Sequence, residues 1–207
     1  MPSPAATERA ALVDLLSETG PDAPTLCGTW TTHDLAAHLV VRDGSLLALP
    51  GLVLPPLHGI TAAYERRART RPYADLVAAL RAGPPLLSLA RLGDLAELHE
   101  WFVHAEDVRR PAGHGPRPAG TPLQDALWTR LVVAGPVLAA RAHGLGLELA
   151  TPDGRRRRVR SGAAHVVLHG EPAELLLWLF GRRGTAQVRL EGTPEAVARA
   201  ERARVGV

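Results

Sequence analysis

The sequence predicts an α+β protein in which a four-helix bundle is followed by a small tail of strands and helices. Three observations carry this. Apolar residues recur at helical spacing through the N-terminal half, and Gly and Pro breakers cut that half into segments of helix length. A run rich in proline and glycine, PAGHGPRPAGTP over residues 111–122, then marks a linker. Beyond it, short apolar runs with β-branched residues alternate with short helical ones.

Thr7 caps a first helix to about Ser17, with Leu12, Leu15 and Leu16 as its apolar stripe. Thr31 or Thr32 caps a second over residues 34–47, with Asp34 in the first turn, where the helix dipole favours an acid. The proline-rich residues 50–59 connect to a third helical stretch over 61–82, which Pro72 can interrupt and Gly83-Pro84-Pro85 ends. A fourth helix covers residues 92–110 and stops at Pro111. Helices of this length joined by breakers pack as an antiparallel bundle. After the linker a fifth helix spans 123–143. Residues 145–150 and 156–160 flank Pro152-Asp153-Gly154 as a hairpin, and 164–169 form a third strand. Pro172 starts a helix through Phe180 that Gly181 closes, 186–190 form a fourth strand, and Pro194 starts a last helix to about Arg202. The linker divides the chain into domains 1–118 and 119–207.

Of the 207 residues, 46% are hydrophobic and 22% charged, which excludes a disordered or coiled-coil chain. The longest stretch without Asp, Glu or Arg is broken by Pro50, Pro55 and Pro56, so no membrane span is expected. The N-terminus lacks the basic and apolar regions of a signal peptide, and a lone Cys27 excludes an internal disulfide; a cytoplasmic protein is expected. All 24 basic residues are arginine, but the formal charge is only +3, too small to point to nucleic acid. Arg155 to Arg158 and Arg160 read as a solvated hairpin arm.

The informative stretch is ELHEWFVHAEDVRR, residues 97–110. With Glu100 at zero and helical spacing, Glu97 falls at about 60°, His104 at about 40° and Asp107 at about −20°. Three carboxylates and one imidazole thus form a narrow stripe on a helix that is otherwise mostly apolar. Like charges this close need a positive partner. The second helix carries Asp34, His38 and Arg42 in a matching sector. His38 facing Glu100 and His104 would give two imidazoles and one carboxylate, the ligand count of a catalytic zinc site. Arg42 could instead neutralise the carboxylates in a buried ion-pair network, and spacing alone leaves both readings open. Asp107 and Asp34, each a turn from a histidine, are placed to orient imidazoles or to pair with Arg42 or Arg109.

Two other patterns fail on geometry. His99 and His104 lie about 140° apart on a helix, so HExxxH is not a metalloprotease pair. His165 and His169 on a strand stand roughly 13 Å apart, too far for one ion. Cys27 reads as a small buried hydrophobe, because nothing in the spacing brings a histidine to it.

LCGTWTTHDLAAHLVVRD (residues 26–43), EWFVHAEDVRRP (100–111) and HVVLHGEPAELLLWLFGRR (165–183) together resemble the actinobacterial mycothiol-dependent maleylpyruvate isomerase-like group, in the DinB-like bundle superfamily. The resemblance covers nearly the whole chain. It implies a DinB-like bundle followed by a small domain related to sterol-carrier-protein-like folds. It implies that His38, Glu100 and His104 bind a divalent metal, usually zinc, and that the metal activates the thiol mycothiol. It implies a catalytic arginine from the C-terminal domain, for which Arg182 is the match, with Arg183 beside it. The VH-x-ED-VRR run places the chain nearer an uncharacterised branch than the isomerase. The expected function is metal-dependent chemistry on a low-molecular-weight thiol, of isomerase or S-transfer type. The alternative is a non-catalytic small-molecule-binding module with the metal as anchor. The expected partners are a small thiol and its substrate, with neither nucleic acid nor membrane, and the chain is a monomer or a homodimer.

Overall fold

Ser3 caps the first helix in this computed structural model, which describes residues 3–44, 58–83, 94–118 and 120–206. Helix α1 (Pro4–Thr19) begins with proline in its first turn, where a missing N–H costs nothing, and Ser3 Oγ accepts from Ala6 N at 3.2 Å. Thr7, the expected cap, lies inside the helix and donates its hydroxyl to Ser3 O. Helix α2 (Thr32–Gly44) is entered through a reciprocal cap: Thr31 N donates to Asp34 Oδ2 at 3.0 Å, and Asp34 N to Thr31 Oγ1 at 3.4 Å. Its predicted end at residue 47, most of the 50–59 connection, Pro84-Pro85 and residues 92–93 lie outside the described residues. The third predicted stretch is two helices, α3 (His58–Ala68) and α4 (Tyr73–Ala82), because Pro72 ends one and starts the next. Helix α5 (Asp94–Arg109) follows.

The chain divides into two units, Met1–Gly115 and Pro116–Val207. The first contains five helices among the described residues where the sequence predicted four. In it α1 packs along α5 and against α4, and α2 packs against α3 and α4. Helix α5 is the core of this unit. Leu98, Trp101, Phe102, Val103, Ala105 and Val108 point in every direction around it and are all buried. Polar residues of this central helix are buried with it: Asp107, on the stripe, and Glu106, off it, are at 0% exposure and His104 is at 7%. Each therefore needs a partner. Glu106 finds two, Arg109 at 2.8 Å and Arg110 at 2.6 Å.

The second unit begins with α6 (Thr121–Leu138), which ends five residues before the predicted His143. Pro136 removes a backbone donor from its last turn, and residues 139–144 turn instead. Strands β1 (Leu145–Ala150), β2 (Arg156–Arg160) and β3 (Ala164–His169) fall where predicted. The sheet order is β2-β1-β3-β4, with β1 and β3 parallel and the outer pairs antiparallel. Strand β4 (Arg189–Gly192) starts three residues late. Gln187 N donates to Glu174 Oε2 at 2.7 Å and Val188 N to Ala186 O at 3.1 Å, so the residues before Arg189 form a turn. All eight residues of α7 (Pro172–Leu179) are buried, as a helix apolar nearly all round requires, and its one charged residue, Glu174, is buried against the Gln187 N–H. Gly181, at φ +85°, closes it: its N–H reaches Trp178 O, and Arg182 N reaches Leu177 O. Helix α8 (Pro194–Arg202) packs on β3 and β4. Among the described residues, no helix is long and apolar enough to cross a membrane.

Candidate metal centre

The α5 stripe meets the α2 stripe through His104 and His38, whose ring centroids are 5.6 Å apart and nearly perpendicular. Each imidazole is held from its Nδ1 side by a carboxylate. His38 Nδ1 lies 2.8 Å from Glu65 Oε1, on α3, and His104 Nδ1 lies 2.9 Å from Asp107 Oδ2, one turn along α5. The hydrogen bond from His38 holds the Glu65 carboxyl below its usual range. An ionised carboxylate only accepts, so Nδ1 of His38 is the donor to Glu65, and Nε2 is the nitrogen on the far edge of the ring. On the His104 side, Nε2 is 3.5 Å from Glu100 Oε2.

Of the two answers the sequence left open, the structure contains the arginine, while the ligand atoms of His38, Glu100 and His104 do not all lie within 4.8 Å of one another. Arg42 reaches across from α2 to form an ion pair with Glu100, Nη1 to Oε2 at 2.6 Å, and its Nη2 is 3.6 Å from Glu97. His99 sits on the other oxygen of Glu100 at 3.3 Å; it does not join His104 from the same side. Burial works against a charge on Glu100, but the His104 and His99 hydrogen bonds and the Arg42 charge outweigh it and hold the carboxyl well below its usual range. Burial likewise opposes a charge on His104. There the hydrogen bonds to Asp107, Cys27 and Glu100 prevail and raise the imidazole well above its usual value. At Glu97 burial wins and the carboxyl is pushed up.

The structure changes two expectations. Asp34 orients no imidazole: it caps α2 and pairs with Arg69 at 3.3 Å, while the Arg69 guanidinium lies over Trp30. Cys27 is not an isolated hydrophobe. Its Sγ donates to Asp107 Oδ2 at 3.0 Å and lies 3.9 Å from His104 Nδ1. A turn through Gly28, at φ +69°, and a hydrogen bond from Leu26 N to Asp107 O at 3.0 Å seat this loop on α5. Among the described residues, Cys27, His104 and Asp107 are the one set of three His, Cys, Asp or Glu whose ligand atoms all lie within 4.8 Å of one another. Sequence periodicity offered no signal for Cys27, because its partners stand on another element about 80 residues away. The same holds for Glu65 beside His38.

The remaining predicted residues lie in the second unit. Arg182 donates from Nη1 to Phe180 O at 2.6 Å, and Arg183 donates to Glu201 O at 2.8 Å and to Ala203 O while stacking on Trp178. His165 and His169 take separate carboxylates, Glu148 at 3.4 Å and Glu191 at 3.1 Å.

No protein-family model matches the chain, and no curated protein matches it. Among solved structures it is similar to the crystal structure of the mycothiol-dependent maleylpyruvate isomerase, with a TM-score of 0.61, 16% identity, and coverage of 91% of this chain and 90% of that one. It is similar also to a histidine-to-alanine mutant of that enzyme, with a TM-score of 0.63 at the same identity and coverage. Likeness at this identity speaks for the architecture, and nearly the full length of each chain takes part in it. The chain shares the fold of the mycothiol-dependent maleylpyruvate isomerase.

Proposed function

We propose that the chain is a divalent-metal protein acting on a low-molecular-weight thiol, with His38, Glu100 and His104 as the metal ligands. One observation carries the metal reading. Two imidazoles from different helices face each other, each braced at Nδ1 by its own carboxylate, so that both can offer Nε2. Bracing of that kind fixes tautomer and ring orientation, and it characterises metal-ligating histidines. Spacing agrees for one pair. Ligands about 2.0–2.1 Å from a tetrahedral zinc lie about 3.4 Å apart, and His104 Nε2 and Glu100 Oε2 are 3.5 Å apart.

Arg42 is the competitor. Its guanidinium occupies the same Glu100 oxygen, so an ion bound there displaces it toward Glu97. That ion pair favours a second reading, in which the stripe is a structural network neutralised by arginine alone. A bound divalent ion supplies a Lewis-acid centre that favours the deprotonated form of a thiol. The protein's own residues hold and orient that centre: Glu65 and Asp107 fix the rings, and burial keeps water from His104 and Asp107. The thiol class, mycothiol foremost, is supported by the enzyme whose fold the chain shares. Calorimetric titration with mycothiol, before and after zinc is removed by a chelator, tests this reading. Zinc-dependent thiol binding that is lost in Glu100→Gln is expected; binding indifferent to zinc contradicts it.

A further inference from the structure

His104 has two edges, and the second carries its own donors. We propose that Cys27 Sγ, His104 Nδ1 and Asp107 Oδ2 form a further cation site, one that takes a soft, thiophilic divalent ion such as cadmium. It requires only His104 in common with the first ligand set, so its failure would leave that set standing.

The geometry is close to what such an ion demands. Around a tetrahedral zinc, a sulfur ligand at about 2.3 Å lies about 3.5 Å from a nitrogen or oxygen ligand, and nitrogen and oxygen ligands lie about 3.4 Å apart. The observed separations are 3.9 Å for Sγ to Nδ1, 3.0 Å for Sγ to Oδ2 and 2.9 Å for Nδ1 to Oδ2. Each pair reaches the tetrahedral value by a shift of about 0.5 Å or less. The three side chains stand on firm backbone: two come from the central helix α5, and the third comes from the loop that Leu26 N pins to Asp107 O.

Charge favours the same ion. Asp107 is fully buried, so an uncompensated charge there is costly. A thiolate, a carboxylate and a neutral imidazole together balance a divalent cation. Cys27 Sγ and His104 Nδ1 both hydrogen-bond to Asp107 Oδ2; on binding an ion both of those protons leave to solvent and the cation's charge replaces theirs. The sulfur sets the preference. A thiolate ranks soft ions above magnesium or calcium, which take oxygen donors. The two edges are alternatives, because a neutral imidazole has a single lone pair to give. An ion held by Cys27 and Asp107 takes His104 away from His38 and Glu100.

Cadmium titration of the full chain, followed by the ultraviolet thiolate-to-cadmium charge-transfer absorption, tests this. Cys27 is the chain's one cysteine, so the band reports that residue alone. The expected result is a band that saturates at about one ion per chain. It is expected to vanish in Cys27→Ser, to need at least about tenfold more cadmium in Asp107→Asn, and to persist in Glu100→Gln. Circular dichroism checks that each variant is folded, and Asp107→Asn stands in if His104→Ala is not. No band in the wild type overturns the proposal. So does a band equally strong in Asp107→Asn and His104→Ala, which would mark a simple thiol adduct. A band lost in Glu100→Gln overturns it too, because the edges would not then be separate.

Discussion

Replacing Asp107 by asparagine removes the charge that braces His104 while keeping the shape of the side chain. Asp107 is fully buried, and its Oδ2 accepts from His104 at 2.9 Å and from Cys27 at 3.0 Å. A hydrogen bond to a charged partner contributes about 1.5–3 kcal/mol and a neutral one about 0.5–1.5, so the imidazole bond loses on the order of 1–1.5 kcal/mol. At about 1.4 kcal/mol per tenfold, zinc affinity falls roughly tenfold from that bond, and up to about 100-fold if the ring also loses its fixed tautomer. A second effect opposes this on the acid side. The Asp107 hydrogen bond is the main interaction that raises His104, so without it fewer protons compete with zinc. The deficit should be largest at alkaline pH and shrink as pH falls. Competition with a chromophoric zinc chelator across that range measures it. Unchanged affinity would refute the bracing role, and complete loss of zinc would make Asp107 a ligand.

Four further outcomes are expected. Arg42→Met frees the Glu100 oxygen that a metal would take; zinc affinity by chelator competition should rise on the order of tenfold, the worth of one charged hydrogen bond, while the metal-free protein melts lower because Glu97 and Glu100 lose their cation. Zinc affinity should fall by about tenfold per pH unit once His104 is protonated, and because His104 is raised well above its usual value the fall begins on the alkaline side. For the metal-free protein the sign is opposite at His104: its imidazolium contributes stability present below about pH 6.5 and lost as pH rises through the folded value, whereas Glu100, held low, contributes stability that is lost as pH falls through its own; urea midpoints against pH read both. Gly162→Ala places a Cβ 2.2 Å from the Leu145 carbonyl carbon, and Gly135→Ala one 2.6 Å from Val159 Cγ1; the first meets backbone that cannot yield and should destabilise by about 3 kcal/mol or more, the second by about 1–3, as read from denaturant midpoints.

What could be read from the sequence was what repeats at a helical period. Glu100 and His104 share a helix face by spacing, as do His38 and Arg42, and the two faces do meet. Strands β1 to β3 and the closure of α7 at Gly181 were likewise local, fixed by turn residues and apolar runs. Contacts made by loops and by third parties were not legible. Cys27 reaches Asp107 through a turn that no periodicity describes, and Glu65 reaches His38 from a helix whose packing the sequence left open. Asp34 was placed on the correct face but spent at the helix end, where a free Thr31 N–H competes for it better than an imidazole four residues on. Strand β4 slid because Glu174, on α7, captured the Gln187 N–H.

The central claim, that paired imidazoles braced by Glu65 and Asp107 hold a divalent ion with Glu100, is tested most directly by elemental analysis of the protein purified without chelator or metal-affinity tag, alongside Glu100→Gln and Cys27→Ser. The account predicts about one zinc or other divalent ion per chain in the wild type, a marked loss in Glu100→Gln, and little loss in Cys27→Ser. A wild-type protein that carries no divalent metal and takes up none when zinc is added would contradict it, and would leave Arg42 as the sole partner of the stripe.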